Sequence, residues 1–215
     1  MKELIKQIIK NTPLYYPLRN AAVKRRQQKE LVAWERIGKP VPPPHIVKQK
    51  ALRDYSKTYG LRILVETGTY LGDMVEAMKA DFDRIYSIEL SKDLYEKAVK
   101  KFADVKNVEL IHGDSGTELG NVIKRINQSA LFWLDGHYSA GVTAKGKKNT
   151  PIYEELEHIL GTQDRKHVII IDDARLFGTD PVYPSLEELS DFVKAKRNNM
   201  DILVQDDSIR ITPKL

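Results

Sequence analysis

Carboxylates stand where short apolar runs end. Leu131 to Leu134 leads directly into Asp135, then Gly136, His137 and Tyr138, while Val168 to Ile171 leads into the consecutive pair Asp172 and Asp173. Three carboxylates brought to one place repel one another, and a hard divalent cation relieves that repulsion. Oxygen donors of this kind suit magnesium, manganese or calcium. The competing reading makes one of Asp172 and Asp173 a turn residue that faces away. His137 follows Asp135 closely, and an imidazole with an ordinary pKa near ~6.5 suits a base that takes a proton from a hydroxyl. A helix cap or a supporting group is its other reading.

A second set of residues reads as a nucleoside pocket. Glu66, Thr67, Gly68, Thr69, Tyr70, Leu71, Gly72 and Asp73 follow one apolar run, with Gly68 suited to a tight turn and Gly72 to close approach at a helix start. The Gly-x-Gly-x-x-Gly of a dinucleotide site is not present, because no second glycine follows two residues after Gly68. Glu89 closes the next run, 21 residues after Gly68; an acid at about 20 residues accepts from the hydroxyls of a ribose. Asp114, after His112 and Gly113, either accepts from an adenine amino group or caps the next helix. The set has little to offer a phosphate.

These residues need a scaffold that brings strand ends together. Short β-rich runs at Arg62–Glu66, Arg84–Glu89, Val108–His112, Ala130–Leu134 and His167–Asp172 alternate with helical patterns near Gly72–Ala80, Lys92–Ala103, Gly116–Asn127 and Ile152–Leu160. Such alternation predicts βαβ units and a parallel sheet covered on both faces, with ligands beyond the carboxyl ends of its strands. After a helix near Ser185–Lys196, two short runs flanking Asp206 and Asp207 predict an antiparallel hairpin at one edge. The connection from Ser139 to Thr150 is long and carries Lys145, Lys147 and Lys148, which can meet an anionic acceptor. Arg175, Phe177 and Tyr183 offer further walls for an acceptor pocket.

The 215 residues suit one large domain with an appendage. Zero cysteines exclude disulfides, thiolate zinc sites, iron–sulfur clusters and cysteine nucleophiles. No apolar run approaches the ~18 residues of a membrane span and no signal-peptide core is evident, so a cytoplasmic protein is expected. The net charge of +5 divides unevenly: Met1 to Lys50 carries 12 Lys/Arg against 3 Asp/Glu, and the remainder 23 against 27. The predicted organisation is a basic helical arm with a proline-rich linker over residues 1–44, followed by one α/β domain over 45–215. The arm holds an amphipathic helix at Met1–Lys10, a second helix at Leu18–Ile37 and a stiff extended spacer at Pro40–Pro44; a third helix at His45–Tyr59 opens the domain.

The stretch from Glu66 to Gly72, Ile85 to Glu89, His112 to Asp114 and the closing hairpin resemble a class I S-adenosylmethionine-dependent methyltransferase over roughly Leu61 to Leu215. The resemblance implies a Rossmann-like sheet of seven strands, mostly parallel with a C-terminal antiparallel hairpin. It implies S-adenosylmethionine held by Glu66, Thr67, Gly68, Thr69, Tyr70, Gly72, Asp73, Glu89, Leu90, Asp114, Ser115 and Asp135, with the ribose on Glu89 and the adenine on Asp114. Asp135 with Asp172 and Asp173 is similar to the metal-dependent O-methyltransferases of the catechol and macrolide-sugar groups, which implies magnesium on the three aspartates. In that subgroup the base position falls on Tyr138, one residue beyond His137. The run from Asp135 to Tyr138, the lysine loop and Ile170 to Phe177 also look like bacterial methyltransferases of surface-polysaccharide synthesis.

The function so implied is metal-assisted O-methylation of a small-molecule or glycan hydroxyl. Asp135 and His137 would be catalytic, and Tyr138, Lys145 and Arg175 would meet the substrate. An RNA methyltransferase using the basic arm and a catalytically silent binding protein are the rival readings. No nucleic-acid partner is expected, because the Asn/Asp-Pro-Pro-Tyr/Phe element of base-amino methylation is missing. The arm is expected to meet a second subunit, an anionic membrane surface or an anionic glycan carrier.

Overall fold

The computed structural model describes residues 15–136, 150–162 and 164–214. The chain divides into two units, Met1–Lys48 and Gln49–Leu215. In the first, α1 (Tyr15–Arg36) is followed by a left-handed turn at Gly38 and Lys39. The buried Trp34 donates its indole N–H to the Pro40 carbonyl at 2.7 Å, and the Lys39 ammonium lies 5.8 Å from the same ring. The spacer does not run extended as expected. It bends at Val41 and Pro42, whose peptide bond is cis. α2 (His45–Tyr59) spans the boundary between the units, and the predicted helix at Met1–Lys10 lies outside the described residues.

The second unit carries the expected seven-stranded sheet. Its strands are β1 (Ile63–Thr67), β2 (Arg84–Glu89), β3 (Val108–His112), β4 (Leu131–Leu134), β5 (Val168–Ile171), β6 (Met200–Gln205) and β7 (Ser208–Pro213), in the spatial order β3-β2-β1-β4-β5-β7-β6. β1 to β5 pair in parallel, and β7 pairs antiparallel with both β5 and β6. The second arm of the hairpin is therefore inserted inside the edge formed by the first. The intervening helices are α3 (Asp73–Met78), α4 (Lys92–Lys101), α5 (Ser115–Arg125), α6 (Ile152–Leu160) and α7 (Leu186–Lys196).

Each central strand is a short apolar run, and its period of two sorts side chains between two cores. Val65, Phe132, Leu134, Ile169 and Ile171 face one core, with Leu119 and Ile123 of α5 and Leu156 and Ile159 of α6. Leu64, Trp133, Val168 and Ile170 face the other, with Leu52, Val75, Met78 and Phe102. Polar caps fix where helices begin. Ser91 opens α4, Asp114 opens α5, and Ser185 with Glu188 forms a reciprocal capping box on α7. The chain runs outward from β1 to β3 and then returns to β4 on the other side of β1. The order reverses between β1 and β4, which is where an open α/β sheet presents a crevice. No helix of the described residues is long and apolar enough to cross a membrane.

Candidate active site

The loop after β1 is tied to β2 by backbone bonds from Gly68 N and Thr69 N to the Ile88 carbonyl, at 2.9 and 3.3 Å. Gly68 has φ +86°, and a Cβ there would lie 2.4 Å from the Asp135 carbonyl oxygen. Only glycine lets this turn lie against the end of β4. Glu89, at the end of β2, receives Tyr70 N on Oε2 and Ser91 N on Oε1, both at 2.8 Å. Each carboxylate oxygen has two lone pairs, so both retain acceptor capacity. On the far side of the loop, Lys101 Nζ binds the Leu71 and Gly72 carbonyls and Asp73 Oδ1 at 2.7, 3.2 and 3.3 Å.

Glu66 sits beneath this loop, fully buried, as the register partner of Ser87. The Ser87 hydroxyl donates to its Oε2, and Thr69 Oγ1 lies 2.6 Å from the same hydroxyl. Burial pushes Glu66 up to about 8 despite the opposing Ser87 bond, so it is chiefly protonated at neutral pH. Asp114 caps α5, accepting from Gly116 N at 3.0 Å. Leu90 offers its carbonyl to His112 Nε2 at 3.2 Å. His112 is exposed and packs its ring on Tyr95 at 5.2 Å, so it is not part of the sheet core.

The acidic set forms because the β ladders continue one step past the strands. Asp135 N donates to the Thr67 carbonyl and Asp172 N to the Leu134 carbonyl, both at 3.0 Å. Asp173 turns left-handed at φ +55°. Asp135, Asp172 and Asp173 each offer an oxygen within 4.8 Å of the others, and Asp172 is only 2% exposed. The three carboxylates therefore lie together, and Asp173, although it forms the turn after β5, does not face away from the other two. Arg175 does not stand free as an acceptor wall. Its Nη1 reaches Asp173 Oδ1 at 2.9 Å and the Asp207 carboxylate beyond it. Phe177 is buried against Tyr183 at 5.2 Å between ring centres, and the Tyr183 phenol is raised by burial and by the charges of Asp173, Asp180 and Asp135. His137, Tyr138 and Lys145 lie outside the described residues, as do Lys147 and Lys148.

One buried group beside the site, Glu155, escaped the sequence reading. Glu155 on α6 is 1% exposed and has the Ser115 hydroxyl as one partner; its Oε1 and the buried Thr67 Oγ1 lie side by side. Both face Gly136, where a Cβ would lie 3.1 Å from Thr67 Oγ1 and 3.5 Å from Glu155 Oε1. Burial pushes Glu155 up to about 7, with the Ser115 hydroxyl opposing. The signal was visible: Ile152, Glu155, Leu156 and Ile159 form one helical stripe, with an acid at a core position.

The strand order, the reversal beside β1 and the inserted β7 can be matched to known structures. The chain has the class I methyltransferase fold. It is similar to the O-methyltransferase TomG of Streptomyces achromogenes, solved with S-adenosylmethionine, at 18% identity and a TM-score of 0.57, covering 88% of this chain and 89% of that one. The O-methyltransferase of Bacillus cereus, solved with S-adenosylhomocysteine, is 17% identical with a TM-score of 0.57, over 87% and 90%. The Podospora anserina methyltransferase PaMTH1, also solved with S-adenosylhomocysteine, is 16% identical with a TM-score of 0.53, over 92% and 96%. No family model matches the sequence, and no curated protein does.

The donor set fits S-adenosylmethionine. Glu89 and Asp114 supply acceptors at two successive strand ends, and the lysine nearest the loop, Lys101, is already bound to the Leu71 and Gly72 carbonyls and Asp73. An acid-rich wall suits a ligand carrying a sulfonium and an ammonium group. Three convergent carboxylates likewise fit a hard divalent cation.

Proposed function

We propose that the protein is an S-adenosylmethionine-dependent O-methyltransferase that uses a divalent cation, magnesium by preference, to methylate a hydroxyl of a small molecule or sugar. The observation that supports this is the close approach of Gly68 to the end of β4, where a Cβ would lie 2.4 Å from the Asp135 carbonyl oxygen, setting the loop after β1 beside the acidic cluster. When bound, the cofactor supplies an electrophilic methyl group and the cation a Lewis acid for the acceptor oxygen.

The chain's own residues then position and deprotonate. Glu89 would hold the ribose hydroxyls and Asp114 the adenine amino group, and the backbone of Gly68 to Tyr70 would hold the amino-acid end of the cofactor. Thr67, Gly72, Asp73, Leu90 and Ser115 complete that wall. Glu66, chiefly protonated, accepts from the Ser87 hydroxyl beneath the loop and adds little negative charge there. Asp135, Asp172 and Asp173 would hold the cation, which would supply charge stabilisation for the acceptor oxygen, so most of the rate enhancement would be orientation and electrostatics. An imidazole nitrogen of His137 takes the hydroxyl proton, and Tyr138 and Lys145 meet the acceptor.

The test is radiolabelled methyl transfer to a panel of sugar and phenolic diols, with and without EDTA. Asp135→Asn and EDTA should each cut turnover by about 10²-fold or more, and magnesium should restore the EDTA-treated enzyme. Undiminished turnover under both treatments would remove the metal from the mechanism. Failure to bind S-adenosylmethionine in calorimetry would remove the methyltransferase reading altogether.

A further inference from the structure

The turn of the C-terminal hairpin carries an acid that its local geometry does not call for. Asp206 and Asp207 are both left-handed, at φ +50° and +59°, in a two-residue turn of the kind that favours asparagine and glycine. Asp207 is nevertheless buried, with 1% of its side chain exposed. All of its visible bonds go to the segment after β5. Its carbonyl accepts from Ala174 N at 2.9 Å, its Oδ1 accepts from Arg175 N at 2.9 Å, and its Oδ2 accepts from Arg175 Nη1. The same Nη1 donates to Asp173 Oδ1 at 2.9 Å. One guanidinium nitrogen is thus shared between a buried acid of the hairpin and a carboxylate of the acidic cluster.

We propose that Asp207 and Arg175 are positioning residues for the cation site, with Asp207 drawing the Arg175 charge away from Asp173 and so setting how much of that carboxylate is available to a divalent cation. The inference rests on the metal-assisted reading above. The insertion of β7 beside β5, with Ile171 opposite Ile209, is what brings residue 207 to the cluster. Removing the guanidinium takes one donor from Asp173 Oδ1 and a positive charge from the site. Removing the Asp207 charge leaves Arg175 with Asp173 as its anionic partner. The two substitutions therefore act in opposite directions, which a purely structural brace would not produce.

The experiment measures Mn²⁺ affinity of the full-length protein by electron paramagnetic resonance and calorimetry, without cofactor or acceptor. Arg175→Gln should tighten Mn²⁺ binding by about tenfold and Asp207→Asn should weaken it by about three- to tenfold, magnitudes typical of one partly exposed charge near an ion site. The double variant should fall between them, and Arg175→Lys, which keeps the charge, should stay on the wild-type side of Arg175→Gln. Arg175 is partly exposed, so its variant tests the sign even if Asp207→Asn does not fold. Unchanged affinity in Arg175→Gln, or a shift in the same direction for both variants, overturns the inference while leaving the cation site intact. Absence of Mn²⁺ binding by the wild-type protein overturns the metal-assisted reading and this inference with it.

Discussion

Gly68 is the residue on which the crevice depends most directly. A methyl group there meets the Asp135 carbonyl oxygen at 2.4 Å, on a backbone at φ +86° that L-residues avoid. Gly68→Ala should cost about 2–4 kcal/mol, visible as a lower urea midpoint, and the end of β4 should shift enough to weaken S-adenosylmethionine binding. Glu66 and Glu155 make a prediction of the opposite character, because each is raised from an ordinary 4.5, to about 8 and about 7 respectively. The native state keeps protons that the unfolded chain releases, so their contribution is fully present below about pH 4.5 and is lost as pH rises through 7 to 8. The melting temperature should therefore fall over that interval, and Glu155→Gln should flatten the fall. A slope unchanged by that substitution would show that Glu155 is ionised in the folded protein. The three aspartates were legible in the sequence because each terminates an apolar run, and strand ends are where such sheets bind ligands. The Glu66–Ser87 bond was not legible, because it depends on the pairing register of β1 with β2.

At the scale of elements, the sequence reads both hairpin arms alike, yet the sheet treats them differently. β7 is buried almost throughout, with Ile209 and Ile211 in one core and Arg210 beneath Tyr55 at 5.5 Å, whereas Leu203, Val204 and Gln205 of β6 are exposed. Nothing in the alternation of six residues says which arm lies inside, so the link from Asp207 to Arg175 was hidden although both residues were in view. The start of β5 is held differently. His167 Nδ1 accepts from Ala130 N at 3.0 Å, next to an edge-to-face contact with Phe132. Burial lowers this histidine to about 4, so it is neutral in the fold. Its contribution is present above its ordinary 6.5 and is lost as pH falls through 4, where the unfolded chain already carries the proton. His167→Ala should cost about 2–3 kcal/mol at pH 7 and should lose less stability on acidification than the wild type. An equal acid loss in both proteins would assign that loss to other groups.

For the whole molecule, the net charge of +5 conceals a division of labour. Met1 to Lys50 carries 12 basic residues against 3 acidic ones, whereas the remainder is net acidic and contains every residue proposed to touch cofactor or cation. Arg25, Arg26 and Lys29 are exposed on α1, and basic side chains of this kind contribute about 1 kcal/mol each at an anionic surface. Residues 1–44 contain none of the residues proposed to touch the cofactor, so S-adenosylmethionine affinity of a chain lacking them should stay within about twofold of the full chain. Retention on phosphatidylserine vesicles should be lost in the same truncation, and in the full chain it should fall steeply between low and physiological salt. Equal retention of both proteins would assign the surface contact to the body. Retention on mixed RNA but not on vesicles would redirect the arm toward nucleic acid, and with it the search for the acceptor. A folded truncation that no longer binds S-adenosylmethionine would assign part of cofactor binding to residues 1–44.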